Sequence, residues 1–382
     1  MTDFTMPSLG ADMEAGTFVE WKVKAGDTVK RGDVVCVIET QKGAVDVEIW
    51  DGGVVAELVA RPGEVIPVGG VLARLVGEAA APVTSPPAAT EASGLPATTT
   101  PALPPARSSG MRVSPAARRR AQELGVSLEG IAGTGPDGAV TVADVEARAP
   151  AAKPMTAPTS SSEAMRAAIA SAMTRAKREI PHYYLGHEIR VDPALDALAN
   201  RNAALPMAER ILFAAIVLRA VALALRETPL LNGHFVDGAF RPGAGIHVGV
   251  AIALRGGGLI APAIHDTDTL DLLSLMARLK DLLQRARGGQ LRSSEVADAT
   301  LTVTNLGDLG VQTVYGVIHP PQVALVGWGR TLARPWVVED RVVPARVAHA
   351  TLSADHRVSD GLQGARFLAE LDRLMHAPEE LM

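Results

Sequence analysis

Hydrophobic and polar positions change rhythm several times along the chain. Over residues 1–77 the apolar residues come in short runs rich in valine and isoleucine, cut by glycines, which is the pattern of short strands joined by turns. From 78 to 110, and again from 149 to 163, no apolar period survives and Ala-Pro and Pro-Pro steps dominate the first stretch, so both are read as linkers. Between 111 and 148 two short helices are predicted. Ser114 caps the first with Pro115 at its first position, Gly125 stops it, and Thr141 with Asp144 opens the second. From 164 to 382 helical and strand patterns are intermixed: an amphipathic helix before Pro181, a β-rich run after it, an apolar helix around Ile211 to Leu225, then strands such as HVGVAIAL and GGLIAPAI. A small all-β unit, a small all-α unit and an α/β domain with a mixed sheet are therefore expected.

The first unit contains an internal repeat. GTFVEWKVKAGDTV from Gly16 and GVVAELVARPGEVI from Gly53 place Gly16 on Gly53, Glu20 on Glu57, Gly26 on Gly63 and Gly32 on Gly69. Two such halves predict a small two-sheet barrel. Between them, VVCVIETQKGAVDVEIW reads as a hairpin with its tip at Gln41 and Lys42, near the midpoint of the two halves. An exposed lysine at a turn is ordinarily a solvated charge; here the symmetry of its surroundings singles it out.

Composition narrows the functional classes. A net charge of -5, without polybasic stretches or aromatic-basic alternation, argues against a nucleic-acid partner. One cysteine, Cys36, rules out an intrachain disulfide framework and fits a reducing, cytoplasmic setting, and its place inside a strand predicts packing rather than redox chemistry. The start lacks the basic flank and apolar run of a signal peptide, and the most apolar window, which carries Arg219, is too short to span a bilayer, so a soluble protein without a membrane partner is expected.

Candidate chemistry lies in the last domain. In TLSADHRVSDG, His356 and Asp360 stand four residues apart on what reads as a turn leaving a strand, where Asp360 can fix the turn by hydrogen bonding. Histidine is the side chain suited to general-base work near neutral pH. In LTVTNLGDLG, Thr302 and Thr304 share one strand face, and a hydroxyl at the strand's end can donate to an oxyanion. His182, His247 and His265 show no zinc-site spacing, and no metal is expected.

Residues 1–77, with the Gln-Lys-Gly tip, resemble the lipoyl and biotinyl carrier domains, whose lysine takes its cofactor through an amide bond. The neighbours of Lys42 are similar to the lipoyl pattern rather than the methionine-flanked biotin one, so the resemblance implies covalent lipoate on Lys42. SPAARRRA and GTGPDG resemble the peripheral-subunit-binding domain of 2-oxo acid dehydrogenase acyltransferases, which implies partner contacts through Arg118, Arg119 and Arg120; Ala139 and Val142 depart from the family's basic residues. The motifs GLIAPAI, TVTNLG, IHPPQVALVG and SADHRVSDG together resemble the catalytic domain of dihydrolipoamide acyltransferases, which share the chloramphenicol acetyltransferase fold.

The match spans the chain. It implies that His356 is the base, Thr304 the oxyanion stabiliser and Asp360 the residue that orients the turn, with coenzyme A as co-substrate. The implied partners are a thiamine-diphosphate-dependent decarboxylase, dihydrolipoyl dehydrogenase and further copies of the chain, as a homotrimer or larger cage with its sites between subunits. Acetyl is the first choice of acyl group. The alternatives are a non-catalytic scaffold that keeps the lipoyl arm and docking helices, and a biotin carrier fused to a transferase.

Overall fold

A computed structural model describes residues 1–9, 13, 15–40, 43–76, 161–254 and 258–382, with scattered positions between 113 and 148. The chain forms two compact units, Met1–Ala79 with Ser160–Met382, and Ala80–Thr159.

The N-terminal domain has eight strands: β1 (Thr2–Thr5), β2 (Ala15–Trp21), β3 (Thr28–Val29), β4 (Val34–Thr40), β5 (Gly43–Glu48), β6 (Gly53–Leu58), β7 (Val65–Pro67) and β8 (Val71–Val76). They form two sheets, β1-β8-β6-β3 and β5-β4-β2-β7. Both contribute to one core, with Phe18, Ile38 and Val47 from one sheet and Val55, Leu72 and Leu75 from the other. The repeat is visible in the backbone. Gly26 and Gly63 both have positive φ, 96° and 83°, as do Gly32 and Gly69, 91° and 84°, a region that side chains disfavour. Their hydrogen bonds correspond too: Gly26 N donates to Val55 O and Gly63 N to Phe18 O, each 2.8 Å. Cys36 is fully buried, and burial pushes its thiol up to about 12, in keeping with a packing role.

In the second unit, α1 (Val142–Arg148) is opened by a reciprocal cap. Asp144 accepts from Thr141 N at 2.8 Å while Thr141 Oγ1 accepts from Asp144 N at 3.4 Å. Thr134 also donates to Asp144 from its N and Oγ1, and these bonds hold the carboxyl well below the usual range. Ser114 Oγ accepts from Ala117 N at 3.1 Å, the cap expected there. A small core of Ala117, Ala121, Ile131, Val140 and Val145 joins these segments.

The C-terminal domain has helices α2 (Ser161–Glu179), α3 (Asp192–Ala203), α4 (Phe213–Glu227), α5 (Leu272–Gly288), α6 (Ser293–Ala297) and α7 (Gly361–His376). Its strands are β9 (His182–Arg190), β10 (Gly233–Val236), β11 (Ala239–Pro242), β12 (Val248–Val250), β13 (Ile252–Ala253), β14 (Leu259–Ile260), β15 (Ala263–Ile264), β16 (Leu291–Arg292), β17 (Leu301–Asn305), β18 (Ala324–Trp328), β19 (Leu332–Val338) and β20 (Arg341–Asp355). The main sheet is mixed, of order β15-β12-β17-β18-β20-β19, with β9 also paired to β20. β12, β17 and β18 run parallel, whereas β20 runs against β18. The apolar window of the sequence is α4, buried at Ile216, Leu218, Val221 and Leu225, and it shares a core with Leu352 and Ala354 of β20 and with Phe367 and Leu371 of α7. Among the described residues no helix is long and apolar enough to cross a membrane.

Candidate active site

β20 ends at Asp355, and its ladder with β9 continues one step further, because His356 N donates to Pro181 O at 3.0 Å. The chain then turns through His356 to Ser359 and enters α7. Asp360 is the N-cap of that helix, its Oδ1 accepting from Leu362 N at 3.0 Å and Gln363 N at 3.1 Å. The carboxylate at position 360 thus holds the end of the turn by capping the helix.

The other end is stapled by a pair that the sequence reading passed over. Asp355 is fully buried and receives Arg357 Nε at 3.0 and 3.1 Å, a second guanidinium nitrogen at 2.7 Å, and Arg357 N at 2.9 Å. The guanidinium lies over the Phe235 ring, 4.0 Å from its centroid. Asp355 O in turn accepts from Val358 N and Ser359 N, each 3.0 Å. His356 therefore sits between two charged residues that grip one another, and its own side chain is left exposed.

One further group meets the imidazole. The Tyr183 ring contacts it edge-on, with centroids 5.3 Å apart and planes at 70°. The Tyr183 hydroxyl lies 2.9 Å from Ser359 Oγ, so the same turn holds the ring in place. Burial raises the phenol above its ordinary value. Neither Tyr183 nor Ser359 carries a signature in the sequence; pairing of β9 with β20, which sets Tyr183 opposite Ala354, is what brings them together.

Thr304 is elsewhere in the same chain. It pairs with Gly327 on β18, and Gly327 pairs with Thr351 on β20, five residues before His356. Five residues along a strand and two strands across put the two side chains on the order of 20 Å apart. Thr304 is half-buried near the opposite end of the sheet from the turn, while Thr302, on the same strand, is buried and donates to Gln322 Oε1 at 2.7 Å. One copy of the chain does not bring a hydroxyl at 304 and an imidazole at 356 to a common reactant.

In the N-terminal domain, β4 and β5 pair as the expected hairpin, with Thr40 opposite Gly43 and Thr40 Oγ1 donating to Gly43 O at 2.9 Å. Gln41 and Lys42 lie outside the described residues. In the second unit Arg118 is exposed, whereas Arg119 and Arg120 lie outside the described residues.

Comparison with known proteins extends this picture over the whole chain. The family model for the 2-oxoacid dehydrogenases acyltransferase catalytic domain matches residues 156–382, a model described as biotin-requiring enzyme matches 2–75, and an e3 binding domain model matches 111–146. The dihydrolipoyllysine-residue acetyltransferase component of the pyruvate dehydrogenase complex from Rhizobium meliloti is 33% identical, with 98% of each chain covered. A solved structure of a probable dihydrolipoamide acetyltransferase from Listeria monocytogenes is 27% identical, covers 56% of this chain and 92% of its own, and has a TM-score of 0.51. The cubic core of a pyruvate dehydrogenase multienzyme complex is 25% identical over 57% of this chain and 91% of its own, with a TM-score of 0.54. By its sequence from end to end and by the fold of its C-terminal domain, the chain belongs to the 2-oxoacid dehydrogenase acyltransferase family.

Proposed function

We propose that this acyltransferase moves an acyl group, acetyl in the first instance, from a dihydrolipoyl group on Lys42 to coenzyme A. The observation that carries the reading is the exposed imidazole of His356 on a turn clamped at both ends, by Asp355 with Arg357 and by Asp360. An unperturbed thiol, with a pKa of about 8.5, is mostly protonated at pH 7, so thiol-to-thiol acyl transfer needs a base and an oxyanion donor but no protein nucleophile. His356 takes the proton from the coenzyme A thiol as its sulfur attacks the acyl carbonyl. Thr304 would donate its hydroxyl hydrogen to the acyl oxygen as negative charge develops there. With a lipoyl group bound, His356 would return the proton to the thiol that gives up the acyl group. The lipoyl group supplies a thiol that carries the acyl group as a thioester.

Because Thr304 and His356 are far apart in one chain, the site is completed between copies: His356 of one works with Thr304 of another. A homotrimer repeats this contact head to tail in a closed ring, and a larger cage agrees with the kinship to a cubic core. Residues 1–77 are the carrier domain, 78–110 the first tether, 111–148 the partner-binding domain, and 149–163 is read as a second tether before a catalytic domain over 164–382, although α2 already begins at Ser161. At about 3.1 Å per residue the first tether reaches on the order of 100 Å when extended. Arg118, Arg119 and Arg120 would meet acidic surfaces of the thiamine-diphosphate-dependent decarboxylase or of dihydrolipoyl dehydrogenase, in the cytoplasm.

Acyl transfer between a panel of acyl-CoAs and free dihydrolipoamide tests the reaction and names the acyl group. In lipoate-replete cells the intact mass is expected to rise by one lipoyl group, and Lys42→Ala to abolish that rise. A Lys42→Ala chain that still gained the mass would remove the carrier assignment.

A further inference from the structure

Glu48, at the end of β5, is only 6% exposed, yet the groups that meet its carboxylate come from the C-terminal domain. Ser294 donates to Oε2 from its hydroxyl and from its N, the latter at 3.3 Å, and an Arg292 guanidinium nitrogen lies 3.8 Å from Oε1. The backbone N of Glu48 donates to Ser293 Oγ at 3.1 Å. A carboxylate withdrawn from water is tolerated only where such partners replace the water.

The same contact extends the sheet. β5 is the edge strand of β5-β4-β2-β7 within its own domain, and β16 adds to that edge in parallel, Leu291 opposite Val45 and Arg292 opposite Asp46. Val296, on α6, packs against the cores of both domains. The receiving segment is held from its own side. Arg285 of α5 forks onto Glu295 at 2.6 and 2.5 Å and reaches Asp281 at 2.8 Å, and His265 Nε2 lies 3.0 Å from Asp298 Oδ2, just after α6. A cleft of about 310 Å3 lined by Arg278, Arg285 and Arg292 opens beside it.

We propose that Leu291–Ser294 is a dock for the carrier domain, which adds β5 to β16 and seats Glu48 on Arg292, Ser293 and Ser294. Its meaning rests on residues 1–77 being an acyl carrier; its geometry does not. The dock adjoins β15, the edge of the sheet opposite the side that carries β20 and His356, so it is a contact separate from the candidate catalytic turn. It holds the carrier against the catalytic domain at one defined place within the reach of its tether.

Paired residues on neighbouring strands stand about 5 Å apart, inside the span of a disulfide. Full-length chain carrying Asp46→Cys and Arg292→Cys, in which Ser293 and Ser294 still hold Glu48, is therefore expected to cross-link under mild oxidant at least about tenfold faster than chain carrying Asp3→Cys and Arg292→Cys, which reports tether-driven collision alone. Glu48→Arg, and separately Ser294→Ala on the opposite surface, should slow the first pair towards the second. Equal rates for the two pairs, or a rate that neither substitution changes, would overturn the dock. Acyl transfer to free dihydrolipoamide on the same samples reports the functional reading, so a failure of one is distinguishable from a failure of the other.

Discussion

Replacing His356 by alanine is expected to lower kcat by about a hundredfold to ten-thousandfold, the range found when a positioned base is removed. The loss should fall on kcat more than on the KM for coenzyme A, because in the proposed role the imidazole acts on the thiol proton rather than on the bulk of the nucleotide. Folding should be little altered: the side chain is exposed, and the hydrogen bond that anchors residue 356 runs from its backbone N to Pro181 O. Steady-state rates of acetyl transfer between acetyl-CoA and dihydrolipoamide, with a thermal melt as the control, give the answer. Near-normal turnover in a folded variant would leave the scaffold reading as the better one.

Arg357→Ala should act in the opposite way, through stability. Asp355 has no exposure to water, and its carboxylate receives the guanidinium and the backbone N of Arg357. Removing the arginine leaves a buried charge without its partner, which costs about 3–5 kcal/mol. Urea denaturation should show that loss, and activity should fall as well because the turn beneath His356 loses its staple. Asp355→Asn on top of Arg357→Ala removes the stranded charge and is expected to regain part of the stability, so the pair should be strongly non-additive. A loss within about 0.5 kcal/mol, the range of ordinary surface substitutions, would mean that the pair does not hold the turn.

These two residues also show what could and could not be read beforehand. The repeat was legible because its glycine pairs occupy positive-φ turns, so chemistry and spacing carried the same signal. The helix caps at Ser114 and Thr141 were legible for a similar reason, being local bonds within three residues. Asp360 was expected to fix the turn, and it does so as the cap of α7. Asp355 with Arg357 was passed over because two charges at that spacing in a chain look like an exposed pair; only the burial of the end of β20 gives them weight.

Register was beyond reach for a different reason. Which residue of β17 stands level with which of β20 depends on β18 between them, and no pattern within either strand encodes it. The break in HVGVAIAL is of the same kind: β12 pairs with β17, whereas Ile252 has turned away to pair with Ile260 of β14. Glu48 carries no mark of its burial in the sequence, because the groups that meet its carboxylate lie about 245 residues further along the chain.

The most direct test of the shared site is complementation. Chains carrying His356→Ala and chains carrying Thr304→Ala, each almost inactive alone, are refolded together in equal amounts. If each site takes its imidazole from one copy and its hydroxyl from the next, about a quarter of the sites in randomly mixed rings carry both intact, and activity should return in that proportion. Mixed assemblies no more active than their parents would contradict the account.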